Sequence, residues 1–280
     1  MEGGKDLERR WVGYVTDINT MQKEVLNKLI QRLKKSSRVR GVFTAGTTAK
    51  EMNLSSDIDL VIILDKNKEK IRSIYTNIGS RFADIFFFDI AFLTELKNKR
   101  KIFASSFEGM FINWLVNGKI EYDPGGLLSL AKKELKKNFS VQKISELEKN
   151  NFYVRVNYNF IANKRYYDSR SRLYHKALEI RLLYSVSEIV VAYFYFRNIP
   201  WRGEKAAIEY FEKHDARFLK EFLRYSASNS LDDKMQCYVA LFRRVFSGKY
   251  KRWKKDFVVG LTVDNHYDQK FSNFWSKLSK

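Results

Sequence analysis

Residues 44–60 read TAGTTAKEMNLSSDIDL and decide the fold. They lead into Asp57–Leu64, an apolar and β-prone segment that predicts a buried central strand. Residues two apart on a strand point to the same face, so Asp57 and Asp59 project side by side, about 7 Å apart. Burying two carboxylates is costly unless a cation compensates their charge. With oxygen ligands and no Cys or His nearby, the pattern favours Mg²⁺ or Mn²⁺.

Gly46 and Thr47 stand between the end of one predicted strand and this pair of aspartates. A glycine lets the backbone approach a phosphate closely, and a hydroxyl together with free N–H groups holds phosphate oxygens. Lys50 adds a positive charge to the same region. Because Mg²⁺ bound by one or two carboxylates takes further ligands from substrate phosphates, the two patterns point to one site.

A mixed α/β unit is predicted around this stretch. The segment 66–80 is polar and charged, with apolar residues at intervals of three and four, so we expect a crossover helix there. The predicted elements, in chain order, are a helix at 20–35, strands at Val39–Ala45 and Asp57–Leu64, a helix at 66–80 with Ile71, Ile74, Tyr75 and Ile78 on one face, a strand at Ala83–Leu93, a helix at Phe107–Val116 and a strand at Lys119–Tyr122.

A third carboxylate is expected to complete a two-metal site, and the next predicted strand offers two candidates. Asp84 shares a face with Phe86 and Phe88, whereas Asp89 lies on the opposite face, so the period of two allows one or the other. Asp84 is favoured because it stands at the start of its strand, as Asp57 does.

The pair Gly46-Thr47, a nine-residue spacer over 48–56 and the strand Asp57-Ile58-Asp59-Leu60 resemble the signature of the polymerase-β-type nucleotidyltransferase superfamily. The resemblance covers roughly residues 25–125. Thr47 keeps the hydroxyl of the usual serine, and Lys50 stands where many members carry Arg. The resemblance implies Asp57, Asp59 and Asp84 as metal ligands, and Gly46 and Thr47 at the triphosphate.

The activity implied by this resemblance is in-line attack of an acceptor hydroxyl on the α-phosphorus of a nucleoside triphosphate, with Mg²⁺ or Mn²⁺ as cofactor and pyrophosphate released. ATP or another triphosphate is the expected co-substrate. If Asp57 instead caps a turn and Asp59 is an ordinary strand charge, no such site exists. A catalytically inactive copy of the fold is a further alternative.

Helical spacing replaces strand signals after the turn Asp123-Pro124-Gly125-Gly126. We therefore predict a nucleotidyltransferase domain over 1–126 and an all-α, acceptor-binding helical bundle over 127–280. The expected fold class is an α/β (α+β) core with a mixed sheet, followed by that bundle. Its helical segments are Glu134–Phe160, Arg170–Arg197, Glu204–Tyr225 and Leu231–Phe246.

Charge bears on the choice of acceptor. The chain of 280 residues carries 52 Lys and Arg against 32 Asp and Glu, and most of the excess lies after residue 125. A positive field favours an anionic partner and disfavours polycationic aminoglycosides. We therefore expect an RNA acceptor, such as a tRNA end. An antibiotic-type transferase acting on a hydroxylated small molecule, or an inactive RNA-binding or toxin–antitoxin partner, is the alternative.

Basic and aromatic residues interleave in the predicted bundle, as phosphate contacts with base stacking require, although a solvated helix face has the same composition. Glu179 and Glu188 are candidates for a general base, and surface positions explain them equally well. The basic and aromatic residues that alternate in the predicted bundle are Arg165, Tyr166, Tyr167, Arg170, Arg172, Tyr174, Lys176, Arg181, Tyr184 and the run 249–255.

No apolar run approaches the about 20 residues of a membrane span, and Cys237 has no internal disulfide partner. We expect a cytoplasmic protein without a membrane segment, and the sequence leaves open a homodimer.

Overall fold

A computed structural model describes residues 20–49, 56–99, 102–138, 144–254, 258–261 and 267–268, together with 275, 277 and 278. The chain divides into two compact units, Met1–Gln142 and Lys143–Lys280. The boundary predicted after Gly126 therefore differs from the division in the structure, which falls after Gln142. The reason is that Leu128, Ala131 and Leu135 are buried in the first unit's core.

The first unit is a five-stranded mixed sheet with helices on both faces. Strands β2 and β4 run parallel, and the other neighbouring pairs run antiparallel, in the order β3-β4-β2-β1-β5. Its elements are helix α1 over 20–34, strands β1 (Val39–Thr44), β2 (Ile58–Leu64), β3 (Ser73–Ile78) and β4 (Arg81–Asp89), helices α2 (Ile90–Asn98) and α3 (Phe107–Asn117), strand β5 (Lys119–Tyr122) and helix α4 (Leu127–Asn138).

Two apolar cores cover the two faces of this sheet. Alternation along β2 sends Ile58, Leu60 and Ile62 to one face, where Leu26 and Ile30 of α1 cover them. Val61 and Ile63 point to the other face and pack beneath α2, α3 and α4. Because Asp59 shares the period of Val61 and Ile63, its carboxylate lies on the face that α2–α4 cover.

The crossover helix predicted over 66–80 is wrong, because this segment contains strand β3, which pairs antiparallel with β4. Ile74 and Tyr75 are exposed, so the apolar residues of the segment share no buried face. Gly79 makes the tight turn between the strands with a φ of +64°, and β-branched residues favour a pleated edge over a helix. The connection between the parallel strands β2 and β4 thus runs through an edge strand.

Strand β4 is shorter than the predicted Ala83–Leu93, because it ends at Asp89 and helix α2 begins directly after it. The Asp89 side chain accepts a hydrogen bond from the Phe92 backbone N–H at 3.0 Å and caps that helix. Asp89 also accepts one from the Asn67 N–H at 3.3 Å. This carboxylate is therefore occupied in holding a helix start.

The second unit is mainly helical, with a core rich in aromatic side chains. The predicted helix Glu134–Phe160 is instead divided between α4 and α5. The predicted helix Glu204–Tyr225 breaks at Asp215, whose side chain caps the second half. The elements are α5 (Glu146–Tyr167), α6 (Arg172–Phe196), α7 (Glu204–His214), α8 (Ala216–Ala227), α9 (Leu231–Val245) and the short strands β6 (Gly260–Leu261) and β7 (Tyr267–Asp268).

Among the described helices, none combines the length and the apolar character that crossing a bilayer would take.

Candidate active site

Three aspartates lie close together near the amino-terminal ends of the parallel strands β2 and β4. The register places Asp59 directly opposite Asp84, and Asp57 immediately precedes β2. One carboxylate oxygen from each of the three residues lies within 4.8 Å of the other two. Of the two candidates for the third position, the sequence favours Asp84 over Asp89, and the structure brings Asp84 to the pair.

The environment of Asp84 carries an electrostatic cost. Burial, and after it the neighbouring Asp57 carboxylate, raises the pKa of Asp84 above its usual value. Asp84 Oδ1 is buried and has no hydrogen-bond partner among the described residues. A buried acceptor without a partner is expensive, so this oxygen is available to a ligand.

Gly46 stands next to the same carboxylates, in the turn that follows β1. Its φ of +54° is left-handed, a conformation that glycine adopts without strain. A Cβ at this position would lie 3.3 Å from Asp59 Cγ and would overlap its Oδ2. The Ala45 N–H donates to the Asp59 carbonyl at 3.0 Å, which fixes the turn against β2. The backbone at Gly46 therefore passes beside the Asp59 carboxylate, at a distance that no side chain would permit.

Two threonines follow Gly46. The Thr47 hydroxyl oxygen is buried and has no hydrogen-bond partner within the part of the chain that the structure describes. Like Asp84 Oδ1, it is a polar atom available to a ligand at the site. The other residue predicted to bind phosphate, Lys50, lies outside the described residues.

Thr48 is a site residue that the sequence reasoning missed. Its hydroxyl donates to the Asp57 carbonyl at 3.2 Å and accepts from the Asp59 N–H at 3.0 Å. One side chain thus fixes the backbone on which two of the three aspartates stand. The sequence signal for this role is a hydroxyl residue nine positions before Asp57. That spacing does not predict a hydrogen bond to the Asp57 backbone unless the path of the intervening loop is known.

The arrangement fits a divalent cation and a phosphate group. Clustered carboxylate oxygens are the ligands that Mg²⁺ and Mn²⁺ prefer. A cation would offset both the desolvation of Asp84 and its repulsion by the Asp57 carboxylate. The Gly46 turn and the Thr47 hydroxyl offer close backbone approach and a hydroxyl to a bound phosphate. Together these residues could hold a divalent cation and a phosphate group bound to it.

The two glutamates considered as bases belong to the second unit. Glu179 pairs with Lys234 at 2.8 Å. Glu188 accepts from Asn159 Nδ2 at 2.7 Å and lies 3.5 Å from Arg155 Nε. Both carboxylates therefore have structural partners in their own unit.

The comparison with solved structures finds several similar chains. A nucleotidyltransferase-like protein from Exiguobacterium sibiricum, known from its crystal structure, is similar to this chain, with a TM-score of 0.41 and 11% sequence identity. The match covers 80% of this chain and 74% of the other. No protein-family model matches the sequence, and no curated protein matches it.

Proposed function

We propose that the protein is a metal-dependent nucleotidyltransferase that moves a nucleoside monophosphate from a nucleoside triphosphate to an acceptor hydroxyl. The observation that carries the proposal is the convergence of Asp57, Asp59 and Asp84 within 4.8 Å beside the Gly46 turn. In the reaction a bond forms between the acceptor oxygen and the α-phosphorus. The bond from the α-phosphorus to pyrophosphate breaks, pyrophosphate leaves with the electron pair of that bond, and the hydroxyl proton is released to solvent.

Different residues of the chain would bind the cation, bind the phosphates and position the aspartates. Asp57, Asp59 and Asp84 would hold the cation, Mg²⁺ or Mn²⁺, and it would supply charge neutralisation for the triphosphate and a lowered pKa for the attacking hydroxyl. Gly46 and Thr47 would bind phosphate oxygens on the β1 side of the carboxylates. Thr48 is a positioning residue, because it acts on the backbone of Asp57 and Asp59. Chemistry of this type depends mainly on positioning and electrostatics.

RNA is the acceptor that the charge distribution favours. The second unit, Lys143–Lys280, holds 27 Lys and Arg against 15 Asp and Glu. A net charge of that sign attracts a phosphate backbone and repels polycationic acceptors. This supports an RNA end over an aminoglycoside.

A groove on the second unit is a candidate surface for binding RNA. It is an open groove of about 820 Å³ along the C-terminal part of α5 and the start of α6, and Arg165, Tyr166, Asp168 and Tyr174 are among the residues that line it. Arg165 is exposed and forms no salt bridge with any carboxylate in the described ranges. The Tyr166 and Tyr174 rings meet edge to face, with centroids 4.8 Å apart, and 42% of Tyr174 is exposed. An exposed cation beside aromatic rings suits phosphate contact and base stacking.

The decisive experiment incubates each α-³²P-labelled triphosphate with Mg²⁺ or Mn²⁺, the protein, and either total RNA or a metabolite extract. We expect label to move onto RNA and the rate to fall at least tenfold in Asp59→Asn. Losing a ligand of a metal-clamped phosphate costs several kcal/mol, at about 1.4 kcal/mol per tenfold.

Asp65→Asn is the matched control, since Asp65 follows the other end of β2 and forms an exposed pair with Arg40 at 3.0 Å. It should leave the rate unchanged. Retention of more than a tenth of the activity in both Asp57→Asn and Asp59→Asn, with unchanged melting temperatures, would contradict the metal-ligand assignment. Label on a small compound instead of RNA would overturn the acceptor while keeping the reaction.

A further inference from the structure

Two aromatic side chains lie exposed on the sheet, on strands β3 and β4. Tyr75 is 61% exposed and Phe82 is 52% exposed. Their rings are stacked, with an interplanar angle of 4° and centroids 6.3 Å apart. Side chains of this size dominate protein cores and are enriched at binding surfaces. A stacked and exposed pair of aromatic rings is therefore a candidate binding surface.

The pair lies beside the carboxylate cluster. Tyr75 is directly opposite Asp84 in the antiparallel register of β3 and β4, and Phe82 precedes Asp84 by two residues on the same strand. Directly opposite residues and residues two apart share a face of the sheet. Tyr75, Phe82 and Asp84 therefore project from one face, and this arrangement lies wholly within the first unit.

The order of the strands gives the site a direction. The Gly46 turn follows β1, Asp59 is on β2, Asp84 is on β4, and Tyr75 is on the edge strand β3. In an in-line displacement the attacking and leaving oxygens lie on opposite sides of the phosphorus. With the leaving pyrophosphate at Gly46 and Thr47, the attacking hydroxyl comes from the β4–β3 side, where the two rings are.

We infer that Tyr75 and Phe82 form a stacking platform for the terminal nucleobase of the acceptor, and that this platform presents the neighbouring hydroxyl at Asp84. The inference rests on the proposed function for the direction of attack. Stacking tolerates every base, because each has a π-face, so the platform selects an unpaired nucleotide and accepts any sequence. An RNA end that is base-paired to its last nucleotide would not fit it.

A kinetic experiment tests the platform with an oligoadenylate acceptor. Tyr75→Ala and Phe82→Ala should each raise the KM for the oligonucleotide roughly fivefold to a hundredfold, the loss expected for one stacked base. The KM for the triphosphate should stay unchanged, and Tyr75→Phe should restore the wild-type value because it keeps the ring.

Ile74→Ala is the matched control. Ile74 stands on the same strand and is also exposed, at 41%, but it projects from the opposite face. It should leave both KM values at the wild-type level. A rise in the KM for the triphosphate alone, or no change in either variant, would overturn the inference.

A binding experiment separates this inference from the proposed activity. An oligoadenylate ending in 2-aminopurine should lose fluorescence on binding the wild-type protein and keep it on binding Tyr75→Ala. If the wild-type protein transfers no nucleotide and this quenching still occurs, the activity fails while the platform stands. The absence of quenching with the wild-type protein would overturn the platform.

Discussion

The turn at Gly46 leaves no room for a side chain. Replacement with alanine puts a methyl group against Asp59 on a backbone with positive φ. We expect Gly46→Ala to lower the transfer rate tenfold or more, since small displacements of a catalytic group are costly. We also expect it to lower the free energy of unfolding by about 1–2 kcal/mol. Labelled-nucleotide transfer and urea unfolding measure the two effects.

Gly126 provides the control for backbone strain. It has a φ of +67°, and a Cβ there would meet nothing within 4 Å. Gly126→Ala should cost similar stability through its conformation and leave transfer intact. Equal activity in the two variants would show that contact between Gly46 and Asp59 does not matter to the site.

Single residues show how far sequence reasoning reached. The proximity of Asp57, Asp59 and Asp84 could be predicted because the period of two and the place of each aspartate at the start of its strand are visible in the sequence. The position of Asp84 at the start of its strand favours it over Asp89, and the structure adds that Asp89 caps α2. Thr48 was missed because its bonds go to backbone atoms nine and eleven residues away, and their positions follow from the course of the loop.

At the scale of elements, Asp215 joins helices α7 and α8 to the rest of the second unit. It accepts from the Phe218 N–H at 3.1 Å, from Arg244 at 2.7 Å and from the Tyr193 hydroxyl at 3.1 Å. Burial raises the pKa of this carboxyl, but the three donors outweigh it, Arg244 most, and the pKa is lowered overall.

Asp215→Ala removes the cap and leaves two partly buried donors without their acceptor. We expect the free energy of unfolding to fall by about 2–4 kcal/mol, measured with urea. Asp168→Ala breaks an exposed pair with Lys164 and should cost under about 1 kcal/mol. Similar losses in the two variants would show that Asp215 has no special role.

Helical spacing of apolar residues predicted two elements wrongly, because this spacing does not show strand pairing or a break between two helices. Helical spacing over 66–80 was real, but the apolar residues there serve an exposed edge strand, and pairing with β4 decided the conformation. Periodicity also ran through Asp215, because both helices bury apolar faces on either side of it. The buried strand β2 was predicted closely, since its apolar run needs no partner to be recognised.

At the scale of the whole molecule, Glu146 connects parts of the second unit that are far apart in the chain. It is bound by Lys249 Nζ at 2.6 Å, Lys149 Nζ at 2.9 Å and the Tyr250 hydroxyl at 3.1 Å. These donors, Lys249 first, lower its pKa from 4.5 to about 2. The carboxylate is therefore charged in the folded protein down to strongly acidic pH.

A lowered pKa in the folded state means stability that is present above the unfolded pKa and lost as the pH falls towards about 2. We expect wild-type protein to be more stable than Glu146→Gln at pH 7, and the difference to shrink between about pH 4.5 and 2. Because Glu146 is 58% exposed, the difference should be small and should decrease with salt. Thermal unfolding at several pH values measures it. A difference that stays constant across that range would contradict the assignment.

The pairing of Asp59 with Asp84 makes the site depend on a single alignment of two strands. A slip of one residue would turn Asp84 to the opposite face. The aromatic contacts of Phe86 with Trp114 and of Phe88 with Phe111, both with ring centroids 4.6 Å apart, oppose such a slip. If the three aspartates hold a cation as proposed, compact molecules with misaligned strands would lose that binding. In a refolded preparation of a protein with the proposed metal site, the fraction of chains that bind Mn²⁺ would then report the fraction that has folded correctly.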